Sequence, residues 1–333
     1  MADTAIDATT CEWLLKMGIP MDIIILIFFT NHFMTACQAF FHIKKIDFYN
    51  MKNFMKNYGV SSMKNSVDHR TLESKIAYTR QHGNHFSPVR LRQMMMQKLS
   101  IPPPKSSAEH ALVFGCYALY SNHSRLLMKY IRILEQLGVD YTCLENEYCC
   151  GSSLVQTSKR SDRKQAKAAA RDFLQLNIEQ AIQKKVKKIA YFCSSCARIA
   201  NSMMNNDTIA HTYLLDLLLD HVSVSQLRYG PATVGYFEGC HATIDTFFTG
   251  ANLPWKRYRE MLGRIPELKV VDLPTDVCCR GRSEHILEKL LERNLSVVIC
   301  SCNNCVRFLE RKAGTRIQVK HMVEIISDAL EGI

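Results

Sequence analysis

The chain has no secretory leader pattern, no apolar run of membrane-spanning length and no low-complexity tract. Met1 to Thr10 contains no basic segment and carries Asp3 and Asp7. A secreted disulfide protein would be shorter and would open on a cleavable signal. The longest unbroken apolar run, Ile23 to Phe29, falls far short of the roughly 20 residues that a spanning helix needs. Apolar character resumes from Phe33 to Ile43, after Asn31 and His32. That stretch is expected to be a buried or interface helix, the alternative being a helix lying on a membrane surface. No nucleic-acid-binding motif accompanies the positive charge, so no nucleic acid partner is expected.

What is present is a chain of 333 residues, 47% hydrophobic and 22% charged, which allows an ordinary packed core. The net charge is +11, from 42 Lys and Arg against 31 Asp and Glu. Much of the excess lies at Lys159, Arg160, Arg163, Lys164, Lys167, Arg171, Lys184, Lys185, Lys187 and Lys188. Ala166, Ala169, Ala170, Phe173, Leu174 and Ile178 are interleaved at helical spacing, so this is either a solvated helix face or a docking surface for an acidic subunit.

Fourteen cysteines is the unusual number. With no secretory signal they are expected in the cytoplasm, with peripheral contact to the cytoplasmic face of a membrane left open. Clustered thiols there point to metal or redox chemistry.

Residues 1–105 read as a helical N-terminal region without a chemical motif, holding only Cys11 and Cys37. The run Ile101-Pro102-Pro103-Pro104 cannot continue a helix and reads as a linker, placing a boundary near residue 106. Beyond it, short apolar runs alternate with amphipathic segments. Strands are expected at Ala111–Gly115, Val139–Leu144, Lys188–Phe192, Thr233–Phe237, Lys269–Leu273 and Ser296–Ile299. Helices are expected near Ser124–Leu137, Asp162–Lys185 and Glu284–Asn294. The alternation predicts an α/β fold with largely parallel sheets.

The dominant feature is an internal repeat. The first copy reads Val113-Phe114-Gly115-Cys116, then Cys149-Cys150-Gly151, then Cys193-Ser194-Ser195-Cys196-Ala197-Arg198. The second reads Phe237-Glu238-Gly239-Cys240, then Cys278-Cys279-Arg280-Gly281, then Cys302-Asn303-Asn304-Cys305-Val306-Arg307. Two modules follow, residues 106–230 and 231–333, expected to be related by a pseudo-twofold axis that brings their sites towards one cleft. Ten of the fourteen cysteines fall into the scheme; Cys11, Cys37, Cys143 and Cys300 are left over and read as ordinary buried thiols. Cys300 also lies two residues before a CxxC and is a competing ligand candidate.

A CxxC alone serves zinc, iron–sulfur and dithiol redox sites alike. The adjacent Cys-Cys pair adds information, because neighbouring side chains diverge and suit a multi-iron cluster better than one tetrahedral ion. Five thiolates also exceed the four of a closed zinc site. Gly151 and Gly281 are expected to approach a cluster closely or to adopt positive φ. The lone Cys and the CxxC of each copy follow strands, at the edge where open α/β sheets bind ligands.

On these residues the chain resembles the cysteine-rich CCG-domain family, whose type member is the B subunit of heterodisulfide reductase. Related modules occur in the D subunit of that enzyme, thiol:fumarate reductase, glycolate oxidase and lactate-utilisation iron–sulfur subunits, and an archaeal succinate dehydrogenase subunit. The likeness covers about residues 108–322, and Cys240-His241 adds to it. It implies two non-cubane [4Fe-4S] clusters, one on Cys116, Cys149, Cys150, Cys193 and Cys196, the other on Cys240, Cys278, Cys279, Cys302 and Cys305. A disulfide would be split between them with electrons from a ferredoxin-type or flavoprotein subunit. His241 would donate a proton to a leaving thiolate or hydrogen-bond to cluster sulfur. Arg198 and Arg307 either pair with cluster or substrate charge or lie on helix surfaces.

Three features depart from the family pattern. The second copy has Cys-Cys-Arg-Gly in place of Cys-Cys-Gly. Only 22 residues separate Cys279 from Cys302, against 42 between Cys150 and Cys193, room enough to remove a helix. Cys300 is the third. Upstream, no CxxCxxCxxxCP run is present, although Val67–Leu99, with Gly83-Asn84-His85-Phe86-Ser87-Pro88, resembles the helical tail that follows a ferredoxin domain in such proteins. Residues 1–105 would then be a ferredoxin-like scaffold without clusters, or a docking segment. Two further readings stay open: an electron-transfer subunit linking a flavin dehydrogenase to quinone, and a zinc-stabilised interaction module.

Overall fold

Each copy of the repeat builds its own four-stranded parallel sheet, and the two sheets have the same strand order. The computed structural model describes residues 71–331, apart from 86, 121, 205–208, 240–252 and 275–276. Cys11, Cys37, the apolar stretch from Ile23 to Ile43, Cys240 and His241 lie outside the described residues.

The first sheet comprises β1 (His110–Val113), β2 (Tyr141–Cys143), β3 (Lys188–Tyr191) and β4 (Ala210–Tyr213), in the order β2-β1-β3-β4. The second comprises β5 (Ala232–Phe237), β6 (Leu268–Asp272), β7 (Val297–Cys300) and β8 (Gln318–His321), in the order β6-β5-β7-β8. All pairings are parallel, His110 facing both Tyr141 and Lys188, and Gly235 facing both Val271 and Val298. The α/β fold with parallel sheets is thus observed. β1 is buried along its whole length, as a strand covered on both faces must be.

Among the described residues, two helices precede the first sheet, α1 (Leu72–His82) and α2 (Val89–Lys98). Within the first copy follow α3 (Asn122–Gln136), α4 (Ser152–Thr157), α5 (Arg163–Gln183), α6 (Ser194–Met203) and α7 (Leu214–His221). The second contains α8 (Trp255–Gly263), α9 (Cys279–Leu291), α10 (Asn303–Ala313) and α11 (Met322–Glu331). Between the cysteine pair and the CxxC the first copy holds both α4 and α5, the second α9 alone. The shorter spacing has removed a helix.

β4 and β8 are absent from the sequence expectation for a physical reason. Ala210-His211-Thr212-Tyr213 and Gln318-Val319-Lys320-His321 are edge strands, paired on one side only, and carry no apolar run. The amphipathic α5 turns Ala166, Ala170, Phe173, Leu174 and Ile178 inward. Lys159, Arg160, Lys164, Lys167 and Arg171 are exposed, whereas Lys184 is buried against the Lys105 carbonyl at 2.8 Å and Glu145 at 3.1 Å.

The two sheets are joined by polar contacts between the copies. Arg125 on α3 pairs with Glu324 and Glu310, and Lys129 reaches Ser327 and Asp328. The Tyr213 hydroxyl donates to the Ser301 carbonyl and Asn303 Oδ1, both at 2.9 Å, and lies 3.2 Å from His321 Nε2. Tyr213, Ser301, Asn303 and His321 are buried, where unpaired polar atoms are costly, so their pairing fixes how the copies meet, whereas the Arg125 and Lys129 contacts lie nearer the surface.

Candidate metal centre

In a sheet of order 2-1-3-4 the chain leaves β1 in one direction and later returns to its other side. The switch falls between β1 and β3, where α/β sheets open a ligand crevice. Cys116 follows β1 and Cys193 follows β3. Cys193 is the residue capping α6, with the Cys196 and Ala197 amides hydrogen-bonded to its carbonyl at 2.9 and 3.1 Å. Gly151, directly after the cysteine pair, caps α4. Helix N-termini carry partial positive charge and stabilise thiolates.

The five sulfurs of the first copy converge. Cys149 hydrogen-bonds to Cys116 and Cys150, Cys150 to Cys196, and Cys196 to Cys193. Hydrogen bonds from Cys116 and Cys150 hold the Cys149 thiol well below its ordinary range, against the opposing effect of burial. A hydrogen bond from Cys196 brings Cys193 down to about 7. Cys116 is pushed well up, first by its bond to Cys149 and then by burial. Such a nest favours thiolate at some sulfurs and strains the rest. Buried negative charge of this kind calls for a cation.

The second copy repeats the layout. Cys278 caps α9 and Cys302 caps α10. Cys305 hydrogen-bonds to Cys279 and Cys302, and Cys302 is lowered by Cys305. Ser194 Oγ, inside the first CxxC, donates to Cys302 Sγ at 3.2 Å, so the two cysteine groups adjoin. The glycine before each lone Cys explains itself in the same way. Gly115 has φ 76°, and a Cβ there would stand 3.3 Å from Cys196 Sγ; Gly239 has φ 95°, and a Cβ would stand 3.0 Å from Cys305 Sγ. The sequence displays both glycines, but their role needs the fold.

The glycines after the cysteine pairs differ. Gly151 has φ 72°, and a Cβ would come within 2.5 Å of Ala170 Cβ on α5. Its close approach is to a helix. Gly281 does not adopt positive φ, one of its two expected roles, and open space lies where a Cβ would point. The inserted Arg280 lets α9 begin at Cys279, with the Gly281 and Arg282 amides bonded to the Cys278 carbonyl at 3.1 and 3.0 Å. No left-handed residue is required there.

Cys300 is fully buried in β7, its thiol pushed well up by burial and then by Cys279 and Cys302. Cys143, in β2, is raised to about 12 by burial. Arg198 is 1% exposed, so it is not a helix-surface residue. Arg307 lies over the Tyr117 ring at 4.6 Å, crossing from the second copy to the residue after Cys116.

Several residues that hold this centre carry no sequence signal. Buried Glu147 accepts from Arg92 at 2.6 Å and from the Phe114 and Gly115 amides at 2.8 and 2.6 Å, fixing the turn into Cys116. Burial raises its carboxyl, opposed by Arg92 and both amides. Asn177 brackets Tyr148, accepting from its amide at 2.7 Å and donating to its carbonyl at 2.8 Å. Gln180 does the same for Asn146 at 3.1 and 2.9 Å. From upstream, His85 Nδ1 lies 3.5 Å from Cys149 Sγ, and His85, Cys116 and Cys149 place their ligand atoms within 4.8 Å of one another.

A site built of sheet-edge cysteines defines a class. Residues 111–199, which span the cysteines of the first copy, match the cysteine-rich domain family known as CCG. Over 288 residues it is 24% identical to the D subunit of the dihydromethanophenazine:CoB–CoM heterodisulfide reductase of Methanosarcina barkeri, covering 76% of this chain and 67% of that one. The corresponding protein of Methanosarcina acetivorans is also 24% identical, over 74% of this chain and 66% of its own length. An uncharacterized iron–sulfur protein of Methanocaldococcus jannaschii is 26% identical over 45% of this chain and 28% of that one. The chain thus spans about two thirds of the length of the two reductase relatives. The family resemblance read from the cysteine pattern is borne out. Among solved structures, a glutamate racemase from Bacillus anthracis superposes with a TM-score of 0.27 at 13% identity, over 68% of this chain and 81% of that one. A likeness that low carries no argument. Among the described residues no helix is long and apolar enough to cross a membrane.

Proposed function

We propose that this chain is an iron–sulfur subunit of a heterodisulfide-reductase-like oxidoreductase. In this reading residues 106–230 and 231–333 are two modules, each holding a non-cubane [4Fe-4S] cluster. The first uses Cys116, Cys149, Cys150, Cys193 and Cys196; the second uses Cys240, Cys278, Cys279, Cys302 and Cys305. The observation that carries it is the convergence of the five first-copy sulfurs beside Cys302 of the second copy, linked by Ser194. Five thiols exceed a closed zinc set, and the relatives include an iron–sulfur protein and heterodisulfide reductase subunits. When bound, the clusters would supply single electrons to the two halves of a disulfide. The net reaction is R–S–S–R′ plus two electrons and two protons giving RSH and R′SH, with a ferredoxin-type or flavoprotein partner as electron donor.

The protein's own residues have defined tasks. The N-termini of α6 and α10 favour thiolates at Cys193 and Cys302, which cap them. Glu147, Arg92, Asn177 and Gln180 hold the loops that present the cysteines. His241 is assigned one of the two protons.

The test is turnover. Full-length protein purified without oxygen is given a chemical reductant and a small heterodisulfide. Two thiols released per disulfide support the enzyme. Bound iron without thiol release favours a relay from a flavin dehydrogenase to quinone, and stoichiometric zinc without sulfide points to an interaction module.

A further inference from the structure

The ten-cysteine scheme leaves out the one nitrogen donor that, among the described residues, reaches the first site. We propose that His85 is a ligand to the iron–sulfur group of the first copy, binding iron through Nδ1 beside the Cys116 and Cys149 thiolates. This deepens the function proposed above and rests on it.

The distances fit one metal atom. A His85 ring nitrogen, Cys116 Sγ and Cys149 Sγ lie within 4.8 Å of one another, and Nδ1 is 3.5 Å from Cys149 Sγ. Metal–nitrogen and metal–sulfur bonds of about 2.0–2.3 Å put tetrahedral donors roughly 3.5–4 Å apart. The three atoms need close in by less than an ångström or so to share an ion.

The loop that carries His85 is tied to both cysteine loops. The Cys149 amide donates to the Gly83 carbonyl at 2.6 Å. Asn84 Nδ2 donates to the Cys116 carbonyl at 3.2 Å. Ser87 Oγ and the Tyr120 hydroxyl are 3.0 Å apart. The residues on both sides of His85 are therefore pinned to the segments whose sulfurs it faces. A histidine on an incidental surface turn would not be held this way.

The ring is oriented as well as placed. Nε2 lies 3.5 Å from Ser153 Oγ, and the ring stands edge-on to Tyr117 at 6.3 Å. Metal-bound histidines typically engage their second nitrogen with an oxygen partner, which fixes the tautomer. His85 is half-buried, so the nitrogen comes from the outer rim of the site. It also adds no negative charge to a group already held by five thiolates. Imidazole in place of thiolate raises the potential of iron–sulfur centres. The first site would accept electrons more readily for having it.

The test uses the full-length chain purified without oxygen, with 15N-labelled histidine. Iron and acid-labile sulfide are counted, and pulsed EPR is recorded in the paramagnetic state. The expected wild-type spectrum contains a strongly coupled histidine nitrogen. His85→Ala and His85→Cys should both lose that coupling. His85→Cys should keep its iron, because it returns a thiolate donor, and should show a lower midpoint potential. Bound iron with no strongly coupled nitrogen in the wild type overturns this assignment alone. So does a coupling that persists unchanged in either variant. A wild-type protein without iron and sulfide overturns the cluster reading and this one together. A wild-type spectrum without a strongly coupled nitrogen overturns the assignment whatever the variants do, so a poorly folding variant does not rescue the proposal.

Discussion

The glycines that follow the two cysteine pairs should respond in opposite ways to the same substitution. In Gly151→Ala, the new methyl must enter a left-handed backbone with φ 72° and stand 2.5 Å from Ala170 Cβ and 2.7 Å from Ala170 Cα. The left-handed conformation costs a non-glycine residue about 1–2 kcal/mol. Displacing a helix backbone belongs with overpacking, about 1–3 kcal/mol more. The sum is about 2–5 kcal/mol, and the movement lands on the turn that carries Cys149 and Cys150. In Gly281→Ala, the methyl meets nothing within 4 Å, and φ is ordinary inside α9. Alanine there should be neutral or stabilising by about 0.5–1 kcal/mol, since glycine is the poorer helix former. Denaturant unfolding of the two variants beside wild type measures this, with iron per chain as a second readout. Gly151→Ala should lower the midpoint and lose iron; Gly281→Ala should do neither. Equal damage from both substitutions would refute the reasoning, because it would mean that the copies use their glycines alike.

Two further outcomes are expected. Arg92→Met leaves Glu147 charged and buried without its partner, and should cost about 3–5 kcal/mol in denaturant unfolding, with Glu147→Gln in the same chain restoring part of the loss. An unchanged midpoint would mean that the pair holds nothing. The second concerns pH. Burial lowers His321 to about 3, with Val323 N–H donating to Nδ1 and leaving the proton on Nε2. The unfolded chain, with a histidine pKa near ~6.5, binds more protons between these two values, so stability falls as pH drops from about 6.5 towards 3. The histidine accounts for about 4–5 kcal/mol of that fall at one pKa unit per 1.36 kcal/mol, and His321→Gln should flatten the profile relative to wild type. Parallel profiles would contradict it. Asp216, raised to about 6 by burial, works in the opposite sense over about pH 4–6 and is common to both proteins.

The architecture and the placing of most of the candidate cysteine site are legible in the sequence because those features are local. Continuous apolar runs such as Ala111-Leu112-Val113 mark strands buried on both faces. The doubled Gly-Cys, Cys-Cys and CxxC spacing marks where those strands end. What stays hidden depends on tertiary approach. β4 and β8 are polar edge strands that only a neighbouring strand defines. Glu147 sits two residues before Cys149, but its partner Arg92 is far away along the chain, on α2. Asn177 and Gln180 look like ordinary polar positions of a basic helix until they bracket Tyr148 and Asn146. His85 lies in a motif whose likeness to the tail of a ferredoxin domain is visible, yet its nearness to Cys149 comes from two hydrogen bonds that no spacing rule predicts. Gly281 lacks the positive φ of Gly151 for a complementary reason. Its match to Gly151 is one of sequence order, and one inserted arginine is enough to change the backbone that follows.

The most direct test of the account is elemental. Full-length protein purified without oxygen is analysed for iron, acid-labile sulfide and zinc per chain, with Cys150→Ser and Cys279→Ser alongside. Iron and sulfide in near-equal amounts, reduced by each substitution, are the predicted result. Stoichiometric zinc with neither iron nor sulfide would contradict it.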